Sequence, residues 1–356
     1  MSSLPQPSPS PHRPAKSGRG SDWQPRNRFA PLHCEPDPET PPERVRTEFF
    51  RDDTRTILSR NQSPDVGFEV SLNPYRGCEH GCAYCYARPT HEYLGWSAGL
   101  DFESRILVKT RAPALLREAL TSPRWKPEAL TLSGVTDCYQ PVERRLEITR
   151  GCLAVLAEFR NPVAIITKNH LVTRDRDHLA TLAAHQAAMV NLSITTLDPA
   201  LARILEPRAS PPSRRLAAIA ELTQAGIPVR VMVSPLIPGL NDHEMPAILG
   251  EAARAGAVTA VYIPIRLPGA VAPIFEQWLQ THFPGKKEKI LERIRGLRGG
   301  RLNDPEFGSR MRGSGPYAET LRSLFHIAAR KAGLAGPVPP LSTAAFRVPG
   351  GQMDLF

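Results

Sequence analysis

Three cysteines lie within eight residues of the chain, at Cys78, Cys82 and Cys85, with the spacing C-x3-C-x2-C. Thiolates this close together commonly share a metal centre, because soft sulfur ligands suit zinc and the iron of iron–sulfur clusters. No fourth cysteine follows nearby, so the trio leaves one coordination position unfilled. An open position is typical of a catalytic metal centre, whereas a structural site is normally closed.

The residues beside the thiols favour an iron–sulfur centre. Gly77 and Gly81 each stand directly before a cysteine. Because glycine reaches positive φ at little cost, the loop can curl and direct amide N–H groups at sulfur. Such hydrogen bonds stabilise an anionic cluster and tune its potential. A Cys3His zinc site with His80 or His91 as fourth ligand is the alternative, although zinc ligands more often occur as two separated pairs.

The motif C-x3-C-x-aromatic-C, with Tyr84 before the third cysteine, resembles the signature of the radical S-adenosylmethionine (SAM) superfamily. The resemblance implies that Cys78, Cys82 and Cys85 hold three irons of a 4Fe–4S cluster, while SAM chelates the fourth. It also implies reductive cleavage of SAM to a 5′-deoxyadenosyl radical that abstracts hydrogen from a substrate. The backbone of Tyr84 is then expected near the adenine, and the electron is expected from a donor such as flavodoxin or ferredoxin.

Three further strings resemble the DNA-repair-photolyase-like branch, which is related to spore photoproduct lyase: SLNPYRGC at 71–78, TDCYQP at 136–141 and LEPR at 205–208. The resemblance covers about residues 65 to 270. It implies a nucleic acid as substrate, through lesion cleavage or RNA modification. Two alternatives stay open: a radical SAM enzyme for a peptide or small metabolite, and a zinc-stabilised binding module without turnover.

Short apolar runs that alternate with amphipathic stretches must position this loop. Six strands are predicted, at 67–72, 129–135, 163–167, 189–195, 229–235 and 258–265. Helices are predicted between and after them, at 84–94, 112–121, 143–159, 173–186, 213–225, 242–255, 273–283, 286–297 and 318–332. Continuous apolar strands that alternate with helices predict an α/β fold with a parallel sheet and the site at the strands' carboxyl ends. The resemblance implies a partial (β/α)6 barrel, although the pattern alone also allows a flat doubly wound sheet.

The tip of the second strand carries Gly134 and Asp137. The resemblance implies that this tip approaches the ammonium of SAM, although the usual Gly-Gly-Glu-like string is absent here. Asp137 can accept hydrogen bonds from an ammonium, and Gly134 permits close approach of the backbone. An N-cap of the following helix is the alternative role for Asp137.

The fourth strand ends in Ser193 and Thr195, and Arg208 follows in the string Glu206-Pro-Arg208. Ser193 and Thr195 are two residues apart and therefore share one face of the strand, where they can contact ribose hydroxyls or the carboxylate of SAM. Arg208 can clamp that carboxylate through two N–H donors. The alternatives are hydroxyl groups inside the barrel and an ion pair between Arg208 and Glu206.

Three cysteines lie outside the motif. Cys138 follows Asp137 at the predicted site, and we hypothesise that it donates a hydrogen atom to a product radical, as a thiol does in spore photoproduct lyase. A buried free cysteine that acts as a small hydrophobic residue is the alternative. Cys152 falls within a predicted helix and is interpreted as core, and Cys34 as a lone thiol without a role.

The composition divides the chain into four segments. Residues 1–45 are rich in Pro, Ser and Arg and are predicted to be disordered, with Trp23, Phe29 and Phe49 able to attach part of this arm. Residues 46–270 form the predicted barrel, 271–335 a basic helical extension and 336–356 a loose tail. Because a radical needs a secluded cavity, we expect the arm or the C-terminal helices to cover the barrel mouth.

The net charge is +10. Residues 286–331 contain twelve Lys or Arg against five Asp or Glu, a net of +7. Such a segment can attract a nucleic-acid backbone, although a solvated helix face is an equally simple interpretation. The apolar runs are too short to span a membrane and the N-terminus lacks a secretory pattern, so a cytoplasmic enzyme is expected.

Overall fold

The structure is a computed structural model that describes residues 18–21, 23–30 and 45–350. The strands in these ranges are β1 (Glu48–Arg51), β2 (Leu58–Arg60), β3 (Val70–Leu72), β4 (Tyr75–Arg76), β5 (Arg105–Val108), β6 (Leu130–Leu132), β7 (Val163–Thr167), β8 (Ala188–Ser193), β9 (Val229–Leu236) and β10 (Thr259–Pro264). The α-helices are α1 (Asp101–Ser104), α2 (Ala112–Thr121), α3 (Glu143–Leu146), α4 (Ile148–Phe159), α5 (Arg176–Ala183), α6 (Pro199–Leu205), α7 (Pro212–Gln224), α8 (Met245–Arg254), α9 (Val271–His282), α10 (Lys287–Leu297), α11 (Ser309–Arg312) and α12 (Pro316–Lys331). Short 3-10 helices span Arg88–Leu94, His170–Asp175, Asp242–Glu244 and Pro284–Lys286.

The main sheet has the strand order β10-β9-β8-β7-β6-β3-β2. All neighbouring pairs are parallel except β2 with β3. The six parallel strands follow one another in space in their order along the chain, so each crossover moves in the same direction. In a doubly wound sheet, the direction of the crossovers reverses at a switch point. The observed strand order has no such reversal and therefore excludes that alternative. The α/β fold with a partial parallel barrel is therefore confirmed.

The apolar runs form strands because both faces of the sheet are covered. Every residue of β8 is buried, which is the environment expected for a parallel strand between helices and a barrel interior. The predicted helix 143–159 is wrong in one respect, since it is two helices. Glu147 adopts a left-handed conformation with φ 53° and ends α3 before α4 begins. The predicted helix 84–94 is also shorter, because only Arg88–Leu94 is helical and of the 3-10 type.

A second, smaller sheet leads directly into the cysteine loop. Its order is β1-β5-β4, with β1 parallel and β4 antiparallel to β5. The sequence analysis did not predict it, because its strands are two to four residues long and β1 is exposed throughout. Since β4 ends at Arg76, the sheet fixes where the cysteine loop begins.

The N-terminal arm is packed in the part that the structure describes. The amides of Gly20 and Ser21 donate to the Glu103 carboxylate at 2.9 and 2.8 Å. A Cβ added to Gly20 would collide with the Gly81 carbonyl, so the arm lies directly on the cysteine loop. Attachment of part of the arm was expected, and residues 18–21 and 23–30 are described in such contacts; disorder of the segment 1–45 stays a prediction. Cys34 and the remaining arm residues lie outside the described ranges.

The tail that was predicted to be loose is also attached over 336–350. The Gly336 carbonyl accepts from Thr259 Oγ1 at 3.1 Å, and the amide of Ser342 donates to the Gln186 carbonyl at 2.9 Å. Gln186 and Thr259 stand just before or at the start of β8 and β10, so the tail crosses the amino ends of the strands. The site at the carboxyl ends is therefore left to other segments. No helix in the described part of the chain is long and apolar enough to cross a membrane.

Candidate functional site

The cysteine loop lies at the carboxyl end of β3, as predicted. Gly77 and Gly81 have φ of 81° and 67°, so both use the positive φ that other residues rarely adopt. The amide of Cys78 donates to the Phe102 carbonyl at 2.9 Å, which ties the loop to α1. Cys78 and Cys82 are buried and Cys85 is half-buried. The three thiols are thus presented on a curled, braced loop.

Burial raises the pKa of all three thiols. Asp137 adds to this effect at Cys78, and Glu206 adds to it at Cys82. Lys168 acts in the opposite direction at Cys82 and Cys85. The protein alone therefore favours neutral thiols, and the positive charge of bound iron is needed to hold them as thiolates.

Neither histidine completes a zinc site. His80 Nδ1 lies 3.3 Å from Asp137 Oδ2, and its Nε2 lies 3.3 Å from the Asn169 amide nitrogen. His91 Nε2 donates to the Arg105 carbonyl at 3.0 Å. Within the described ranges, no three His, Cys, Asp or Glu side chains meet at the spacing that one metal ion requires. Three thiols without a fourth donor fit a cluster that binds three thiolates and do not fit a Cys3His zinc site.

A buried ion pair supports the loop from behind. The guanidinium of Arg88 donates to the Cys82 carbonyl at 2.9 Å, to the Gly99 carbonyl at 2.8 Å and to Glu103 Oε1 at 2.5 Å. Both charged side chains are fully buried. Glu103 in turn accepts the two arm amides described above, so one pair joins loop, α1 and arm. Sequence reasoning missed it, because nothing in the local pattern distinguishes these two residues from exposed charges.

A second buried carboxylate organises the barrel interior. Glu206 accepts hydrogen bonds from the hydroxyl of Tyr84 and from Thr195 Oγ1, the latter at 2.6 Å, and it pairs with Arg215. Burial alone raises the pKa of Glu206, but Arg215, Lys168 and the hydroxyl donors outweigh burial and lower that pKa to about 2. The group is therefore an anion at any physiological pH. It fixes Tyr84, the residue predicted near the adenine, by its side chain.

Lys168 is the functional candidate that sequence reasoning missed. It follows β7 directly, and its Nζ donates to the Ser234 carbonyl at 3.2 Å and lies 3.6 Å from Glu206 Oε1. The same ammonium lies 5.8 Å from the centre of the Tyr84 ring. It therefore places a positive charge among the thiols inside the barrel. The polar string Thr167-Lys168-Asn169 directly after a buried strand was the available signal.

The carboxylate of Asp137 accepts several hydrogen bonds from within the protein. It accepts from Thr167 Oγ1 and the Lys168 amide, both at 2.8 Å, and from the Tyr139 amide at 2.9 Å. The N-cap alternative is wrong, because α3 begins only at Glu143. An ammonium contact would have to compete with these donors, so the structure favours a role in joining the ends of β6 and β7.

Gly134 leaves its backbone accessible at the tip of β6. The residue is half-buried, and its carbonyl accepts from the Tyr86 hydroxyl at 2.8 Å. A Cβ there would lie 3.1 Å from that of Ser71. Ser133, just before it, has φ 76°, a conformation normally left to glycine. The strand tip is thus shaped by its backbone, and the approach of SAM to Gly134 stays a prediction.

The two hydroxyl candidates differ in their surroundings. Ser193 ends β8, is buried, and its carbonyl accepts from Arg215 Nη1 at 3.1 Å. The hydroxyl group of Thr195 donates to Glu206, so it can only accept a hydrogen bond from a ligand. Both lie beside the Glu206 group, and their roles toward SAM remain predictions.

Arg208 lies at the junction of the arm and the cysteine loop. Its guanidinium donates to the Gly18 carbonyl at 3.0 Å and to Thr47 Oγ1 at 3.3 Å, and it lies 3.5 Å from Glu79 Oε1. The alternative ion pair with Glu206 is wrong, because Arg215 pairs with that carboxylate. The clamp of Arg208 on the carboxylate of SAM stays a prediction.

The thiol of Cys138 lies in the main core. The residue is fully buried, its amide donates to Ser133 Oγ at 2.6 Å, and its carbonyl accepts from Thr149 Oγ1 at 2.7 Å. Burial raises its pKa well above the usual value. The same core contains Cys152, as predicted for that residue. This location supports the packing alternative, and the donor hypothesis stays a prediction.

The C-terminal extension covers the cysteine loop. Apolar residues of α9 and α10 share one buried cluster with Cys82 and Tyr84. Some basic residues of this segment make contacts within the protein. Arg298 is buried and donates to the Ile265 carbonyl at 2.7 Å, and Arg310 pairs with Asp65 at 2.5 Å. The basic segment is therefore not one continuous solvated face.

Comparison with known proteins agrees with this geometry. Residues 72–252 match the family model of the radical SAM superfamily. An uncharacterised protein of Mycobacterium tuberculosis is 36% identical over 284 residues, which cover 78% of this chain and 79% of the relative. An uncharacterised protein of Methanocaldococcus jannaschii is 29% identical, over 65% of this chain and 82% of the relative.

A solved structure shares the fold. Spore photoproduct lyase complexed with dinucleoside spore photoproduct superposes with a TM-score of 0.60 at 16% identity, over 81% of this chain and 80% of the lyase. At this identity the likeness concerns the fold. Together with the matched family model and the three thiols, it leads to one conclusion: the chain belongs to the radical SAM superfamily, whose cofactors are a 4Fe–4S cluster and SAM.

Proposed function

We propose that the protein cleaves SAM reductively and abstracts hydrogen from a nucleic acid. The observation that carries the proposal is that three thiols lie on one curled loop at the carboxyl end of β3, and that the Lys168 ammonium at the carboxyl end of β7 acts electrostatically on two of them, Cys82 and Cys85. When bound, the cluster supplies one electron to the sulfonium of SAM, which releases methionine and a 5′-deoxyadenosyl radical. A reducing cytoplasm suits such an oxygen-sensitive group.

The residues of the chain have distinct tasks in this scheme. Cys78, Cys82 and Cys85 hold the cluster. Lys168 offers a cation to the carboxylate of SAM, since its ammonium is anchored by Ser234 and Glu206 but keeps donor capacity. The extension formed by α9 and α10 excludes water from the loop.

The mouth of the barrel supports a nucleic acid as the substrate class. Tyr86 and Phe307 are 50% and 60% exposed, although both are aromatic. Tyr86 interacts electrostatically with Cys85 and with Arg266. Arg266 interacts in the same way with Arg310, which pairs with Asp65 and whose guanidinium lies 4.4 Å from the centre of the Phe307 ring. Exposed aromatic faces beside arginine are the usual platform for unpaired bases. We call these four residues the mouth group.

The test is anaerobic. Reconstituted protein is expected to contain about four irons per chain and to release 5′-deoxyadenosine after reduction with dithionite. Deuterated single-stranded DNA and RNA are then supplied, and transfer of deuterium into 5′-deoxyadenosine is measured. The Cys78→Ala variant is the control and is expected to lack both cluster and product. Colourless protein with one zinc per chain would contradict the proposal, and label arriving only from peptides or metabolites would overturn the substrate class.

A further inference from the structure

A cleft of about 500 Å³ opens on the outer side of the barrel rim. Its lining residues come from α3, from Asn169 with the 3-10 helix His170–Asp175, from the start of α5 and from the segment that leads into α7. Its lining consists of Arg144, Asn169, His170, Leu171, Thr173, Arg174, Arg176, Ser210, Pro211 and Arg214. Four arginines and one histidine face it, and no Asp or Glu is among these residues. We call it the arginine cleft.

Two of the four guanidinium groups have no partner within the protein. Arg144 and Arg176 are exposed, and neither has a hydrogen-bond or ion-pair partner among the described residues. Arg214 contacts the ring nitrogen Nδ1 of His170 at 3.2 Å and also interacts electrostatically with Glu221. Arg174 is different, because it pairs with the buried carboxylates of Glu143 and Asp175. The nearby Glu221 is held by His170 Nε2 at 2.8 Å.

The arginine cleft lies directly behind the cysteine loop. Asn169 lines the cleft, and its amide contacts Nε2 of His80, the residue midway between Cys78 and Cys82. Lys168 and Asn169 are adjacent, yet their side chains diverge. Lys168 points to Glu206 inside the barrel, whereas Asn169 points to His80 and accepts from Ser210 Oγ at 2.9 Å. The Asn169–His80 contact thus lies between the cleft and the cysteine loop, and the Lys168 side chain is directed away from the cleft.

We propose that the arginine cleft is the docking site for an acidic one-electron carrier protein. This inference rests on the proposed function, since it concerns how the cluster receives its electron. The carrier is oxidised by one electron and the cluster is reduced by one, and no bond or proton changes place. A concave cationic surface close to the cluster speeds encounter with an acidic partner and orients it. It contains no Phe, Tyr or Trp, so it is less suited to nucleic-acid bases than the mouth group is.

The experiment compares two double variants with the same change of charge. Arg144→Glu with Arg176→Glu alters the cleft. Arg330→Glu with Lys331→Glu is the control, because both residues are exposed at the end of α12, where the chain turns to the amino ends of the strands. Reduction of the cluster by a pre-reduced acidic flavodoxin is followed by its absorbance at several salt concentrations, and flavodoxin affinity is measured by calorimetry. Dithionite serves as the small reductant.

The cleft variant is expected to be reduced by flavodoxin at least about 10-fold more slowly at low salt, with weaker binding and a lost salt dependence. Its reduction by dithionite and its subsequent release of 5′-deoxyadenosine should equal those of the control. An unchanged flavodoxin rate overturns the docking site. A cleft variant that loses oligonucleotide binding but not flavodoxin binding also overturns it, in favour of a nucleic-acid surface. Absence of 5′-deoxyadenosine from wild-type protein with dithionite would instead refute the proposed function.

Discussion

Lys168 gives the sharpest test at the scale of single residues. Replacing it by Met keeps a chain of similar length and removes the ammonium that lies between Ser234, Glu206 and the thiols. Loss of one charge-assisted hydrogen bond costs roughly 1.5–3 kcal/mol, so SAM should bind about 10–100-fold more weakly. Calorimetric titration of the reconstituted protein with SAM measures this.

The exposed residue Lys126 supplies the matched control, as Lys126→Met removes the same charge away from the site. Iron content must be equal in both variants, so that weaker SAM binding is not mistaken for a lost cluster. Equal SAM affinity in both variants would mean that Lys168 only supports Glu206.

For Cys138 we expect an effect on stability and none on the reaction. Its thiol is packed in the main core, so Cys138→Ala should cost roughly 0.5–3 kcal/mol of unfolding free energy. Transfer of deuterium into 5′-deoxyadenosine and the nature of the product should stay unchanged. Thermal unfolding and product analysis by mass spectrometry check the two statements. A stable variant that accumulates a product lacking the returned hydrogen atom, or a different product, would support the hydrogen-donor role.

At the scale of elements, the Arg88–Glu103 pair decides whether the cysteine loop keeps its shape. Arg88→Met would leave Glu103 buried without its cation and free four loop carbonyls, so it should destabilise the protein by about 3–5 kcal/mol. Arg117→Met is the control, since Arg117 pairs with Glu158 at the surface, where such a pair contributes about 0–1 kcal/mol. Urea unfolding and iron content are measured. Full iron loading and unchanged stability in Arg88→Met would contradict the bracing role.

The same elements show what the sequence could reveal. The apolar runs predicted all six parallel strands, because strands buried on both faces must be apolar throughout, as β8 is. The cysteine loop could be placed at the carboxyl ends of these strands, because it follows the first of them along the chain. Glu206 and Tyr84 are 122 positions apart, so their contact is a product of the tertiary fold. The positions of Arg88, Glu103 and Arg208 likewise depend on which distant carbonyls or carboxylates surround them, and no local pattern encodes that.

At the scale of the whole molecule, the two charged surfaces are assigned to different partners. The mouth group combines arginines with exposed aromatic rings and includes Tyr86, the neighbour of Cys85. The arginine cleft reaches the cysteine loop through the Asn169–His80 contact and contains no Phe, Tyr or Trp. A substrate must reach the radical from the barrel mouth, but an electron can enter through the back of the loop. Binding of substrate and delivery of the electron should therefore be separable by mutation.

Phe307→Ala tests this separation. Loss of one stacking platform should weaken binding of a single-stranded oligonucleotide by about 1–3 kcal/mol, which is roughly 5–150-fold, while the rate of cluster reduction by flavodoxin stays the same. Ile327→Ala is the control, as it removes an equally exposed apolar side chain from α12. When Phe307→Ala is combined with the cleft double variant, each defect should keep the size that it has alone, because the sites share no partners. Fluorescence anisotropy and stopped-flow absorbance provide the two measurements, and coupling between them would show that substrate and carrier meet on one surface.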